Sequence, residues 1–122
     1  SLGGNMAQTI KAFEEAVIHN GPSIIFAYAP CINHGIDMSK TIEIEKEAVT
    51  SSYFPIYRYS KESGLIIDSP QSNTSYLAFA MQESRYKALT IKNPTSANSL
   101  LSNAETFAKK RETRLKNNSV KK

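Results

Sequence analysis

Residues 23–36 read SIIFAYAPCINHGI. The first seven form an unbroken β-prone run with apolar side chains at both parities. A strand predicted over 23–29 suits the interior of a parallel sheet, where both faces are covered. Pro30 ends it, and the following CINHGIDMS is a loop in which Gly35 is free to take positive φ. Upstream, NMAQTIKAFEEAVI over 5–18 carries Met6, Ile10, Phe13 and Val17 on one face of an α-helix. Ser1 to Gly4 form a small flexible lead-in. Asn5 is a candidate N-cap because its side-chain oxygen accepts from an early backbone N–H. HNGP at 19–22 stops the helix, with Asn20 or Gly21 in the left-handed C-terminal position and Pro22 barring continuation. Helix, turn and buried strand together are the rhythm of an α/β fold.

Downstream, SKTIEIEKEAVTS over 39–51 predicts a second helix with Ser39 as N-cap. FPIYRYS and GLIIDS flank KESG as a short hairpin. Pro55 belongs at the start or edge of its first strand. A third helix is predicted over 76–91 with Leu77, Met81 and Leu89 inward. NPTS breaks it, and a last helix over 95–116 carries an apolar stripe of Leu100, Leu101, Ala104, Phe107 and Ala108. No internal repeat is present. One parallel-type strand cannot form a sheet alone, and the other strands are few and short. The remainder of the domain is therefore expected upstream in a longer polypeptide, and an opening at Ser1 without Met is how a fragment begins.

The 122 residues suffice for one domain or part of one. No apolar run approaches the roughly 20 residues of a membrane span, and no signal peptide is recognisable. The net charge of +4 is unevenly spread. Residues 109–122 hold seven Lys or Arg and one Glu, a local +6, so +4 less +6 leaves −2 for residues 1–108. A basic tail can bind nucleic acid. It is more often a solvated helix end whose cations suit the helix dipole. No aromatic residue follows Phe107 to stack on a base, and no nucleic-acid or membrane partner is expected.

The only cysteine, Cys31, sits just past the predicted strand, where ligands collect in open α/β sheets. A single cysteine excludes an internal disulfide. Four readings of Cys31 stay open on the residues alone. It is a small buried hydrophobe, or a nucleophile with His34, for which no orienting acid is evident. It is part of a zinc site with His34, His19 and Asp37, at unpersuasive spacings. Or it is an iron–sulfur ligand, although such clusters usually take four thiolates. His34 reads as a loop residue donating to a carbonyl, and Phe26 and Tyr28 read as core. Arg85 in ESRY reads as half of a surface pair with Glu83.

SLGGNMAQTIKAFEEA, NGPSIIFAYAPCINHGI, YFPIYRY, LIIDS and RYKAL occur in that order. Together they resemble the C-terminal part of pyruvate:ferredoxin (flavodoxin) oxidoreductase, or pyruvate synthase. The resemblance covers nearly the whole chain, and GPSIIFAYAPCINHG is its specific part; the tail beyond about Asn103 is not specific. It implies an α/β fold: an incomplete C-terminal portion of a thiamine-diphosphate-binding domain over 1–92, with a short hairpin, then a C-terminal helix and basic tail over 93–122.

The implied reaction is oxidative decarboxylation of pyruvate with coenzyme A to acetyl-CoA and CO2. Its electrons leave through [4Fe–4S] clusters to ferredoxin or flavodoxin. The cysteine of the family's CINHG element ligates the cluster nearest the thiamine, and that cysteine is Cys31 here. Loop N–H groups from Ile32 to Gly35 would then tune the cluster. Thiamine diphosphate, Mg2+ and the other three thiolates would belong to the parent polypeptide. This chain has no Gly-Asp-Gly to Asn diphosphate element and no Cys-x-x-Cys. Alone, it is expected to bind no cluster and to catalyse nothing. A homodimeric parent is implied, in the cytoplasm or a hydrogenosome-like organelle. The alternative is a non-catalytic interaction module whose last helix docks a partner.

Overall fold

The computed structural model describes residues 3–120. Helix α1 spans Met6–Ile18, α2 Thr41–Thr50, α3 Tyr76–Ala80, α4 Ser84–Lys92 and α5 Pro94–Asn118. Strands β1 (Tyr57–Ser60) and β2 (Gly64–Ile67) pair antiparallel with Arg58 opposite Ile66. Two 3-10 turns, Ile32–His34 and Met38–Lys40, lie between α1 and α2. The architecture is mixed helix and small sheet with a long C-terminal helix. Among the described residues no helix is long and apolar enough to cross a membrane.

The core is small. Ile44 and Ala48 of α2 meet Phe79 of α3, and Tyr28, Ile36, Tyr53 and Phe54 pack around them. Tyr53 is the hub of the rings, with centroids 4.9 Å from Phe79, 5.8 Å from Tyr76 and 6.0 Å from Tyr28. Helix α5 packs on α3, α4 and β2 and buries Ala97, Leu101 and Ala108. Its Arg111 Nη2 donates to the carbonyls of Ser52 and Tyr53 at 2.7 and 2.8 Å. Its Glu112 accepts from Ser52 Oγ at 2.7 Å. These bonds tie down Ser52, whose φ of 58° is unusual for a residue with a side chain.

Several predicted elements hold. Helix α1 begins after Asn5, whose Oδ1 accepts from the Gln8 N–H at 3.1 Å. The hairpin forms where expected, with Pro55 ahead of β1. Helix α5 starts after Asn93, whose side chain caps it, with Pro94 in the first turn. Ser1 and Leu2 of the lead-in and Lys121 and Lys122 of the basic tail lie outside the described residues.

Four expectations are corrected. Residues 23–29 form no strand and are not buried: Ile24 is 79% and Phe26 82% exposed, so Phe26 is no core residue. A strand needs a ladder partner on each covered side, and the only ladder in the described residues is the hairpin, which pairs with itself. The face of α1 made by Met6, Ile10, Phe13 and Val17 is exposed as well. That helix is held instead by polar contacts: Gly4 N–H to Glu45 at 2.8 Å, Gln8 to Asp68 at 3.1 Å, and an Arg58–Glu15 ion pair.

The second correction concerns Ser39, which is not the cap of α2: Lys40 holds that position without a side-chain cap bond. Asp37 instead caps the preceding 3-10 turn, accepting from both the N–H and the hydroxyl of Ser39. Third, the helix predicted over 76–91 breaks at Met81–Glu83 into α3 and α4; its fully buried members are Phe79 and Ala80, with Leu77, Met81 and Leu89 half-buried. Fourth, the stripe on α5 is only partly inward, because Leu100 and Phe107 are exposed.

Candidate functional site

The loop after the apolar run is held at three points. Buried Pro30 anchors its start. Cys31 follows in extended conformation, and the chain then closes a 3-10 turn: His34 N–H donates to Cys31 O and Gly35 N–H to Ile32 O, each at 2.9 Å. Gly35 leaves the turn at φ 67°, as the sequence led us to expect. Its carbonyl accepts from Ser84 Oγ at 3.0 Å, and a Cβ at this position would collide with the Ser84 side chain. The turn therefore sits directly on the first residue of α4.

Beside it lies Glu83, 2% exposed. Its carboxylate forms an ion pair with Arg85 and lies 3.7 Å from His34 Nδ1. That nitrogen is buried and has no hydrogen-bond partner. Arg85 Nη2 also donates to the Tyr53 hydroxyl at 3.2 Å, and its guanidinium lies 4.9 Å from the Tyr86 ring centre. The Tyr28 hydroxyl is buried without a partner. Burial, and then the negative charge of Glu83, push its ionisation up to about 12.

Cys31 is a free, exposed thiol, so the buried-hydrophobe reading does not describe it in this chain. His34 donates its backbone N–H to the Cys31 carbonyl, whereas its side-chain Nδ1 faces a carboxylate. The Arg85–Glu83 pair is not a surface pair, because its acid is buried. Glu83 also supplies the acid that the Cys–His reading lacked. Yet no hydrogen bond joins Cys31 Sγ to His34 among the described residues, and a nucleophile needs its base within reach. Neither His19 nor Asp37 joins Cys31 and His34, for no group of three or more His, Cys, Asp or Glu suited to a metal exists among the described residues.

A [4Fe–4S] cluster usually takes four thiolates. The donor set here therefore fits one ligand of a shared cluster and not a complete site. Of the loop amides expected to face a cluster, those of His34 and Gly35 are used inside the turn. Ile32 and Asn33 retain N–H groups outside that turn's own bonding.

Comparison with known proteins connects this loop to a chemistry. The chain is 39% identical over 117 residues to pyruvate:ferredoxin oxidoreductase of Moorella thermoacetica, covering 91% of this chain and 10% of that protein. It is 40% identical over 111 residues to pyruvate-flavodoxin oxidoreductase of a Nostoc species, covering 86% and 9%. The chain is homologous to one segment of the pyruvate:ferredoxin and pyruvate-flavodoxin oxidoreductases. It spans about a tenth of the length of these relatives. A mitochondrial pyruvate dehydrogenase [NADP(+)] of Euglena gracilis is 35% identical over 107 residues, 81% of this chain and 6% of that protein. No family model matches the chain.

The pyruvate oxidoreductase match embraces the parts of the site that sequence reading missed. Sequence reading paired Glu83 with Arg85 but missed its burial beside His34, and it assigned Tyr53 no role. A weak signal for Glu83 was available: Glu and Arg two residues apart do not face each other along a helix, so a paired Glu83 and Arg85 implied that Glu83 lies outside the helix that carries Arg85.

Proposed function

We propose that this segment completes the thiamine-diphosphate-binding domain of a longer polypeptide. That polypeptide oxidatively decarboxylates pyruvate with coenzyme A and passes electrons to ferredoxin or flavodoxin. Residues 1–92 belong to the domain, and 93–122 form its closing helix and tail. Cys31 is one thiolate ligand of a [4Fe–4S] cluster, with the other three thiolates supplied from elsewhere in the polypeptide. When bound, such a cluster takes up and releases single electrons.

The observation that carries the reading is the pairing of an exposed Cys31 with a loop docked onto α4, in the GPSIIFAYAPCINHG stretch that lies within the relatives' shared segment. The run at 23–27 supports it. Ile24 and Phe26 are more than three-quarters exposed and follow a helix whose apolar face is also bare. Exposed apolar side chains in such number mark an interface when they form a patch. Relatives about ten times longer have the chain to cover it. With 23–29 laid into a sheet of that longer chain, apolar side chains would keep water from the Cys31 side of the loop. The Ile32 and Asn33 amides would remain to donate to sulfur, which stabilises a reduced, more negative cluster.

The test is anaerobic purification of the whole polypeptide. Reduction of a viologen dye that requires both pyruvate and coenzyme A is expected, with none from the 122-residue chain alone. A purified polypeptide that holds iron yet reduces no dye with pyruvate would overturn the assignment of reaction.

A further inference from the structure

The cluster of groups around Glu83 is not explained by packing. A carboxylate that is 2% exposed is costly unless paired. Glu83 spends its charge on two neighbours with different attachments. One is Arg85, which reaches on to the Tyr53 hydroxyl in the aromatic hub at 3.2 Å. The other is His34, whose Nδ1 has no better partner than the Glu83 carboxylate at 3.7 Å. His34 in turn donates its backbone N–H to the carbonyl of Cys31 at 2.9 Å. The next residue of α4, Ser84, holds Gly35 at 3.0 Å. The start of α4 thus grips both the third and fourth residues after the cysteine, and the grip runs back to the rings of the core.

We infer that Glu83 is a positioning residue for Cys31: its buried carboxylate, acting through His34, fixes the turn that presents the thiol. It touches neither the sulfur nor a substrate. Its effect on a cluster rests on the proposed role of Cys31 as a ligand, whereas its hold on the turn does not. A second-sphere group of this kind sets where a ligand atom sits and so tunes the metal it binds.

The test uses the whole polypeptide, first freed of iron and then loaded. Hydrogen–deuterium exchange is followed at peptides spanning 31–36, whose reporters are the bonded amides of His34 and Gly35. Glu83→Gln keeps the shape and removes the charge. Exchange in this loop is expected to speed up by roughly tenfold, as for a local opening released from a buried partner. Peptides from 97–108 in α5 should be unchanged. Alkylation of the Cys31 thiol in the iron-free protein should accelerate with it. In the loaded protein, iron content should stay whole while the reduced-state EPR spectrum and midpoint potential shift. Unchanged loop exchange and an unchanged spectrum would overturn the inference.

If Glu83→Gln also loosens α5, His34→Gln decides, since that side chain is a quarter exposed and lies outside the core. It should reproduce the loop effect alone, and a silent His34→Gln would equally overturn the inference. A Cys31→Ser protein that keeps all its iron would remove the cluster role while leaving the loop result to stand on its own.

Discussion

Asp68 shows how individual side chains hold this small body together. Burial alone would raise its carboxyl, but hydrogen bonds from Arg58 and Gln8 and the charges of Arg58 and Lys11 outweigh it and keep it below the usual aspartate range. Arg58 grips it with Nε at 2.7 Å and Nη2 at 3.0 Å, a bidentate geometry that is among the stronger polar contacts. Through Gln8 and Glu15 the same pair tethers α1 to the hairpin. A depressed folded-state carboxyl contributes stability that is present above the ordinary aspartate value and is lost as pH falls through the folded one. Melting temperature should therefore hold down to about pH 4 and drop as pH falls further. In Asp68→Asn it should start lower, by roughly 5 °C for each kcal/mol removed, and fall less steeply with acid. Equal acid slopes in the two proteins would show that the pair contributes nothing. Gly35 illustrates the opposite case, a residue chosen for lacking a side chain: its positive φ and its approach to Ser84 both exclude a Cβ.

At the level of elements, the segment 23–29 is an apolar stretch without a ladder. In the isolated chain its apolar side chains contact solvent, so Phe26→Asp should leave unfolding within about 0.5 kcal/mol of the parent sequence. In the whole polypeptide the same change would bury an unpaired charge, and soluble yield should collapse. Comparable effects in both would mean the segment stays uncovered. This contrast explains what was readable in the sequence. Helix α1, the hairpin and α5 were legible because local signals define them: the Asn5 and Asn93 caps, the β-prone runs around KESG, and Pro94. The strand was not, because a strand exists only through its partners, and those partners are not among the described residues. The break between α3 and α4 was hidden for a related reason. Glu83 leaves the helix to bury its carboxylate against His34, a residue 49 positions earlier, and helical periodicity carries no trace of such a contact.

Across the whole molecule two surfaces stand out from an otherwise ordinary body. One is the bare apolar surface of α1 and residues 24–26; the other is the docked loop that presents Cys31, which follows that run in sequence. The candidate site was half legible. The position of the cysteine after an apolar run, and the CINHG element, pointed to it directly. Its support by Glu83, Arg85 and Tyr53 depends on tertiary contacts that spacing cannot reveal. Homology to one segment of the pyruvate oxidoreductases joins both surfaces in one account, in which a longer chain covers the first and shares a cluster with the second. The most direct measurement is iron content and the reduced-state EPR spectrum of the whole polypeptide, prepared anaerobically with Cys31→Ser. The account predicts loss or alteration of one [4Fe–4S] signal, together with failure of electron transfer from pyruvate to a viologen dye. Unchanged iron, spectrum and dye reduction would contradict it and leave Cys31 an exposed thiol without a metal role.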